Sequence, residues 1–202
     1  MPVLVIATHN VKKAGEMVTI LSRRLPDLQI RTLADYPGAP EPDEAGTTYA
    51  ENATIKAESA ARVTGEWSVA DDAGLEVDAL GGAPGLHSKR FEGEDTPFAE
   101  KMCRILERLE GVPESDRTAR FRCCVAVAAP GLTEPTRVFE ATCEGRIAPA
   151  PSGGGGFGYD PIFFLPELGC TMADLTADQK HAISHRGKVL ALVGEDLAMR
   201  LR

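Results

Sequence analysis

The sequence has no apolar run long enough to cross a bilayer. The longest, Cys123 to Ala129, has the length of a strand, against about 20 residues for a membrane helix. Val3 to Ala7, near the start, lacks a basic lead and is too short for a signal peptide. Cysteines are few: five, an odd number, with no C-x-x-C pair. That argues against a disulfide scaffold and suits a reducing, cytoplasmic setting. Positive charge is in deficit, with 22 Lys and Arg against 30 Asp and Glu and a net charge of −8. Such a chain does not bind DNA or RNA through bulk electrostatics, so an anionic ligand would need a local basic pocket or a metal ion. The 20 Gly and 14 Pro are too few for a low-complexity chain. What remains, 43% hydrophobic and 26% charged residues, is the composition of a globular fold and excludes intrinsic disorder. At 202 residues the chain is expected to be one domain, with at most two lobes sharing one core.

Val3 to Ala7 is continuously apolar and reads as a strand buried on both faces. Val11, Ala14, Met17, Val18 and Leu21 follow at helical spacing, so the chain opens strand–turn–helix. Leu28 to Leu33 reads as a second strand and Pro37 to Glu44 as an acidic, Pro-rich loop. A helix over Tyr49 to Val63 carries a small-residue stripe of Ala50, Ala53, Ala57, Ala60 and Ala61. Ser68 to Ala70 reads as a short strand entering a turn at Asp71-Asp72-Ala73-Gly74. Thr96-Pro97 marks a helix start with Pro at the first helical position. Phe121, Cys123, Val125 and Val127 alternate with Arg120, Arg122, Cys124 and Ala126, a period-two strand; a turn at Pro130-Gly131 leads to a partner over Arg137 to Cys143. Ile162-Phe163-Phe164 is strand-like. Thr176-Ala177-Asp178-Gln179 is a capping box opening a short helix that Gly187 can close, and Leu190, Val193, Leu197 and Leu201 mark a last amphipathic helix. The alternation of strands and helices predicts an α/β protein with an antiparallel part after residue 118.

Five patterns carry possible chemistry. Thr8-x-Asn10-x-x-Lys13 lies between a buried strand and a helix, where unpaired N–H groups favour an anion; the alternative is that Asn10 only caps the helix. Asp71 and Asp72 repel one another, which is tolerable at a solvated turn or beside a cation such as Mg²⁺, with Glu44 as a further oxygen ligand. Asn52 and Lys56 share a helix face, read locally as solvated. Gly153 to Gly158 formally contains G-x-G-x-x-G, but it leads into a strand, not out of one, so it is no dinucleotide fingerprint. Its glycines beside Phe157 and Tyr159 fit either a linker or a backbone that approaches a flat ligand. Lys180, His185, Arg186 and Lys188 form a basic cluster, or a helix end complementing its dipole; His181 and His185 lack the Glu and third ligand of a zinc site.

Taken in order, Ala7-Thr8-x-Asn10-x-x-Lys13, Glu51-Asn52-Ala53, Ala70-Asp71-Asp72-x-Gly74-Leu75, Gly81-Gly82-Ala83-Pro84-Gly85, Phe157-Gly158-Tyr159-Asp160-Pro161-Ile162-Phe163 and Ser184-His185-Arg186-Gly187 resemble one family across nearly the whole chain. It is the family of non-canonical purine nucleoside triphosphate pyrophosphatases, or ITP/XTP pyrophosphatases. The resemblance implies a single domain over 1–202, with a long mixed central sheet flanked by helices and two lobes with a substrate cleft. It implies a cytoplasmic homodimer that uses Mg²⁺ to hydrolyse dITP, ITP or XTP to the monophosphate and pyrophosphate.

Residue by residue, the resemblance gives Thr8, His9, Asn10, Val11, Lys12 and Lys13 to the phosphate loop and Lys56 to a phosphate contact. Asp72 becomes the general base and, with Glu44, a metal ligand, and Asp71 a supporting carboxylate. Phe157, Gly158, Tyr159 and Asp160 become the base-binding loop, and Ala73, Lys180, His185 and Arg186 further substrate contacts. Lys13, Lys56 and Lys180 are then expected to offset triphosphate charge, and hydrogen-bond polarity would have Arg186 donate to purine O6 and Asp160 accept from N1–H. Two positions depart from the family pattern: His9 stands where Gly is common and Ala73 where Ser is common.

Overall fold

Val3–Ile6 (β1) is apolar throughout and three of its four residues are buried, as a strand with neighbours on both sides requires. In the computed structural model the described residues are 1–40 and 42–201. Glu41, inside the loop expected over 37–44, lies outside them, as does Arg202. The further strands are β2 (Gln29–Thr32), β3 (Trp67–Val77), β4 (Thr118–Ala128), β5 (Arg137–Ile147), β6 (Phe163–Leu165) and β7 (Cys170–Thr171). The helices are α1 (Val11–Arg24), α2 (Tyr49–Thr64), α3 (Phe98–Arg108), α4 (Ala177–Ile183) and α5 (His185–Arg200). The strands form one sheet in the order β2-β1-β3-β4-β5-β6-β7. Strand β1 runs parallel to β2 and β3, and β6 antiparallel to β5 and β7, so the sheet is mixed, as expected.

The chain forms two compact units, the first Met1–Asp72, Cys123–Ala141 and Arg186–Arg202, the second Ala73–Arg122 and Thr142–His185. In the first, α1 buries Met17, Ile20 and Leu21, and α5 buries Val189, Leu190, Val193 and Leu197. Ala53, Ala57, Ala60 and Ala61 are buried on α2, so the small stripe is a packing face; a larger side chain there would overpack at about 1–3 kcal/mol. Asn10 caps α1, and the Thr48 hydroxyl accepts the Glu51 N–H to start α2. The second unit centres on Leu75, Val77, Met102, Ile105, Leu109, Phe121, Ile147, Ile162, Phe163 and Met172. There the Phe121 and Phe163 rings lie 4.5 Å apart.

Several local expectations change. The turn expected at Asp71-Asp72-Ala73-Gly74 is the middle of β3, an uninterrupted 11-residue strand. Carboxylates are poor strand residues on propensity, and here distant cations compensate them. Helix α4 ends at Ile183 and Ser184 is extended, so Gly187 closes nothing and lies inside α5. His181 and His185 therefore stand on different helices, not four apart on one. Pro97 is the cap residue of α3, one place earlier than expected. Val11, the first of the apolar residues at helical spacing in α1, is 82% exposed.

Candidate active site

The first unit gathers a charged group around two consecutive strand residues. Adjacent residues of a strand face opposite ways, and each aspartate meets its own partners. Asp71 is buried. Its Oδ2 accepts from Arg186 Nε at 3.2 Å and Nη2 at 2.9 Å, and Lys13 Nζ lies 3.2 Å away. Burial pushes this carboxyl up, but the charges of Lys13, Arg186 and Lys56 prevail and hold it well below the usual carboxylate range. Its Oδ1 is buried without a hydrogen-bond partner. Arg186 Nη1 donates to Glu16 Oε2 at 2.8 Å, so the guanidinium bridges two carboxylates.

Asp72 sits between α2 and the 44–48 loop. Its Oδ1 is 3.4 Å from Lys56 Nζ, which also donates to Glu44 Oε1 at 2.7 Å. Its Oδ2 accepts from Asn52 Nδ2 at 3.2 Å. Burial raises the Asp72 carboxyl above its ordinary value, with Glu44 adding to the rise while Lys56, Lys13 and the Asn52 bond oppose it. Burial alone would lower the Lys56 ammonium, yet Asp72, Asp71 and Glu44 raise it overall.

The start of α1 is capped rather than open. Asn10 Oδ1 accepts the N–H groups of Lys12 and Lys13, both at 3.1 Å, and Thr8 Oγ1 accepts the Asn10 N–H at 3.2 Å. The capping alternative therefore holds for those two N–H groups, and charge at this end comes from the Lys12 and Lys13 side chains. His9 and Val11 are exposed. Among the described residues only Glu92 and Leu132 combine a side chain with positive φ, so His9 carries no left-handed strain.

The second unit holds the aromatic loop. Asp160 is buried and its Oδ2 accepts the Phe157 N–H at 2.8 Å and Lys180 Nζ at 2.7 Å. The same ammonium lies 4.6 Å from the centre of the half-buried Phe157 ring, a cation–π contact. Tyr159 is buried and donates to the Ser88 carbonyl at 2.9 Å, with its ring edge-on to Phe98 at 5.1 Å. His185, also buried, stacks on Phe121 at 4.8 Å. The glycines serve the loop's own packing. A Cβ on Gly156 would lie 2.1 Å from Asp160 Oδ2, and one on Gly153 2.4 Å from the Ala173 backbone. Gly158 has positive φ, and Ala73 follows Asp72 in β3.

Two side chains without an assigned role belong to these groups. Asn52, read as part of a solvated face, is 1% exposed; its i,i+4 relation to Lys56 was the available signal. Glu16 gave no signal, since its partner Arg186 is 170 positions away.

Among the described residues no cluster of three or more His, Cys, Asp or Glu forms an all-protein metal cage. Glu44 and Asp72 nevertheless converge on one ammonium, so a small cation already sits where the two carboxylates meet. Two carboxylates completed by substrate phosphates are a usual donor set for Mg²⁺, and these residues fit it.

Such a chain has the equipment of an enzyme for polyphosphate substrates: paired carboxylates with lysines on one unit, and an aromatic loop with a buried Asp–Lys pair on the other. Its residues 4–195 match the model of the Ham1 family. It is 51% identical over 192 residues to a dITP/XTP pyrophosphatase of Geobacillus kaustophilus, covering 95% of this chain and 92% of that one. Among solved structures it is similar to a HAM1 protein from Coxiella burnetii, with TM-score 0.88, 39% identity, and 98% and 100% of the two chains covered. The Ham1 protein of Staphylococcus aureus gives TM-score 0.86 at 36% identity, covering 98% and 99%. The chain belongs to the Ham1 family.

Proposed function

We propose that this chain, 1–202 acting as one catalytic domain, hydrolyses non-canonical purine nucleoside triphosphates (dITP, ITP and XTP) to the monophosphate and pyrophosphate. The observation that carries the reading is the Glu44–Lys56–Asp72 group inside a Ham1 chain. Water attacks the α-phosphorus, the α–β bridging P–O bond breaks, and pyrophosphate leaves. Asp72 takes the proton of the water. Glu44 and Asp72 hold Mg²⁺, which when bound neutralises phosphate oxygens. Lys13, Lys56 and the Thr8–Lys12 segment bind the triphosphate, and Lys13, Lys56 and Lys180 offset its charge. Asp71 keeps Lys13 and Arg186 in place.

Phe157, Gly158, Tyr159 and Asp160 are the base-binding loop of this reading, Lys180, His185 and Arg186 are further substrate contacts, and Ala73 follows the catalytic aspartate in β3. Hypoxanthine and xanthine offer O6 as acceptor and N1–H as donor, and adenine offers the reverse. Asp160 accepts from N1–H and Arg186 donates to O6, so adenine would set an acceptor against Asp160 and a donor against Arg186, which disfavours it. The homodimer and cytoplasmic setting of the reading rest on the family resemblance. Among the described residues no helix is long and apolar enough to cross a membrane.

The deciding assay incubates the protein with ITP, XTP, dITP, GTP and ATP in the presence of Mg²⁺ and measures pyrophosphate and orthophosphate separately. Pyrophosphate from the first three is expected. Orthophosphate as the product, or a preference for ATP, refutes the reading.

A further inference from the structure

The Glu51-Asn52-Ala53 motif has so far been given no task, yet its asparagine is the most buried polar side chain of α2. Asn52 Oδ1 accepts the Gly46 N–H at 2.9 Å, and Nδ2 donates to Asp72 Oδ2 at 3.2 Å. Gly46 follows Glu44 by two residues, and the other Asp72 oxygen is the one that meets Lys56 together with Glu44. We propose that Asn52 is a positioning residue for the reaction: one amide fixes the plane of the Asp72 carboxylate and the backbone of the loop that carries Glu44. The proposal rests on the functional reading above, in which those two carboxylates act together on a divalent cation.

The amide can work in one orientation only. Turned over, it would set its NH₂ against the Gly46 N–H and its oxygen against a carboxylate, two repulsive pairs. The loop is seated on it closely: a Cβ on Gly46 would lie 2.6 Å from Asn52 Oδ1 and 2.7 Å from Glu51 Cβ. The preceding residue fastens the same loop, since Glu51 Oε2 accepts from the Thr47 N–H at 2.6 Å and its hydroxyl at 2.9 Å. Consecutive side chains of α2 thus tie down the Glu44 loop, and one of them also orients Asp72. An amide that merely satisfied itself in the core would have no reason to link both carboxylate-bearing segments.

The test compares wild type with Asn52→Leu, which removes both polar ends at similar volume. Ser68→Ala is the comparator; it loses a buried hydroxyl bond from β3 to the Ala57 carbonyl of α2 without touching either carboxylate. Mn²⁺ binding to the nucleotide-free protein is measured by calorimetry, beside kcat and KM for ITP and the melting temperature. Asn52→Leu should weaken Mn²⁺ binding and lower kcat, each by roughly 10–100-fold, with KM changed less than about threefold. Ser68→Ala should melt lower with Mn²⁺ binding and kcat near wild type. If Asn52→Leu also melts lower but keeps wild-type Mn²⁺ binding and kcat, Asn52 is structural and the proposal is overturned. If Asn52→Leu does not fold, Gly46→Ala strikes the same contact from the loop side, and wild-type behaviour there overturns it equally. A wild-type protein that binds no Mn²⁺ and releases no pyrophosphate is a different result, which removes the functional reading itself and the role of Asn52 with it.

Discussion

Replacing Arg186 with Met should cost about 3 kcal/mol of stability, the low end of the range for breaking a buried ion pair. The guanidinium is 2% exposed and its donors go to Asp71 and Glu16, so the loss leaves two carboxylates short of a partner. The figure stays at the low end because Lys13 remains 3.2 Å from Asp71 and Glu16 keeps some access to solvent. For a chain of this size that corresponds to roughly 6–12 °C in Tm. Urea unfolding at pH 7 reads it directly through the fluorescence of Trp67, the one tryptophan, four residues before Asp71 on β3. The double variant Arg186→Met/Asp71→Asn should lose less than the sum of the two single losses, because neither is then left as a buried unpaired charge. A loss under about 1 kcal/mol, or strict additivity, would refute the buried pair as the source of the effect. The same variant separates two tasks of Arg186. If it also donates to purine O6, the preference for ITP over ATP narrows; an unchanged preference removes it from base reading.

Asp72→Asn should lower kcat by roughly 10²-fold or more with KM for ITP nearly kept, and near-normal turnover would strip Asp72 of the role of base. Asp71, held below its unfolded value of about 3.9, contributes stability that is complete above that pH and is lost as pH falls through it toward the folded value. Urea titrations of the metal-free protein between pH 6 and 2 should show this acid loss in wild type and less of it in Asp71→Asn. Gly156→Ala should destabilise by more than about 1 kcal/mol and raise KM for ITP, because φ is +67° and the new methyl meets Asp160 Oδ2. Gly154→Ala, with nothing within 4 Å, should be silent in the same melting and kinetic assays.

The strongly periodic elements were legible in the residues. The stripe of alanines on α2, the apolar run of β1 and the Thr176 capping box all appear where spacing put them. What local reasoning misplaced has a common cause: partners far along the chain. Asp71-Asp72 looked like a turn because nothing nearby neutralises two carboxylates in a strand; Arg186 and Lys13 do so for Asp71, and Lys56 and Asn52 for Asp72. Asn52 looked solvated because its partners lie off the helix, the Gly46 N–H in the preceding loop and Asp72 20 positions away. The glycine tract signalled a close approach correctly, but what approaches Gly153 and Gly156 is the chain itself. Gly187 looked like a helix stop, whereas Ser184 supplies the break by adopting extended backbone.

Because Asp71 and Asp72 share a peptide bond in a pleated strand, they cannot be moved independently. Inserting one residue between Trp67 and Ala70 would carry Asp71 into the place of Asp72 beside Lys56, put Ala70 where Asp71 meets Arg186, and turn Asp72 to that same face two residues further along the strand. The strand from 67 to 72 is therefore intolerant of length change in a way that no single substitution there would reveal, and a scan of insertions should find its sharpest boundary at that stretch.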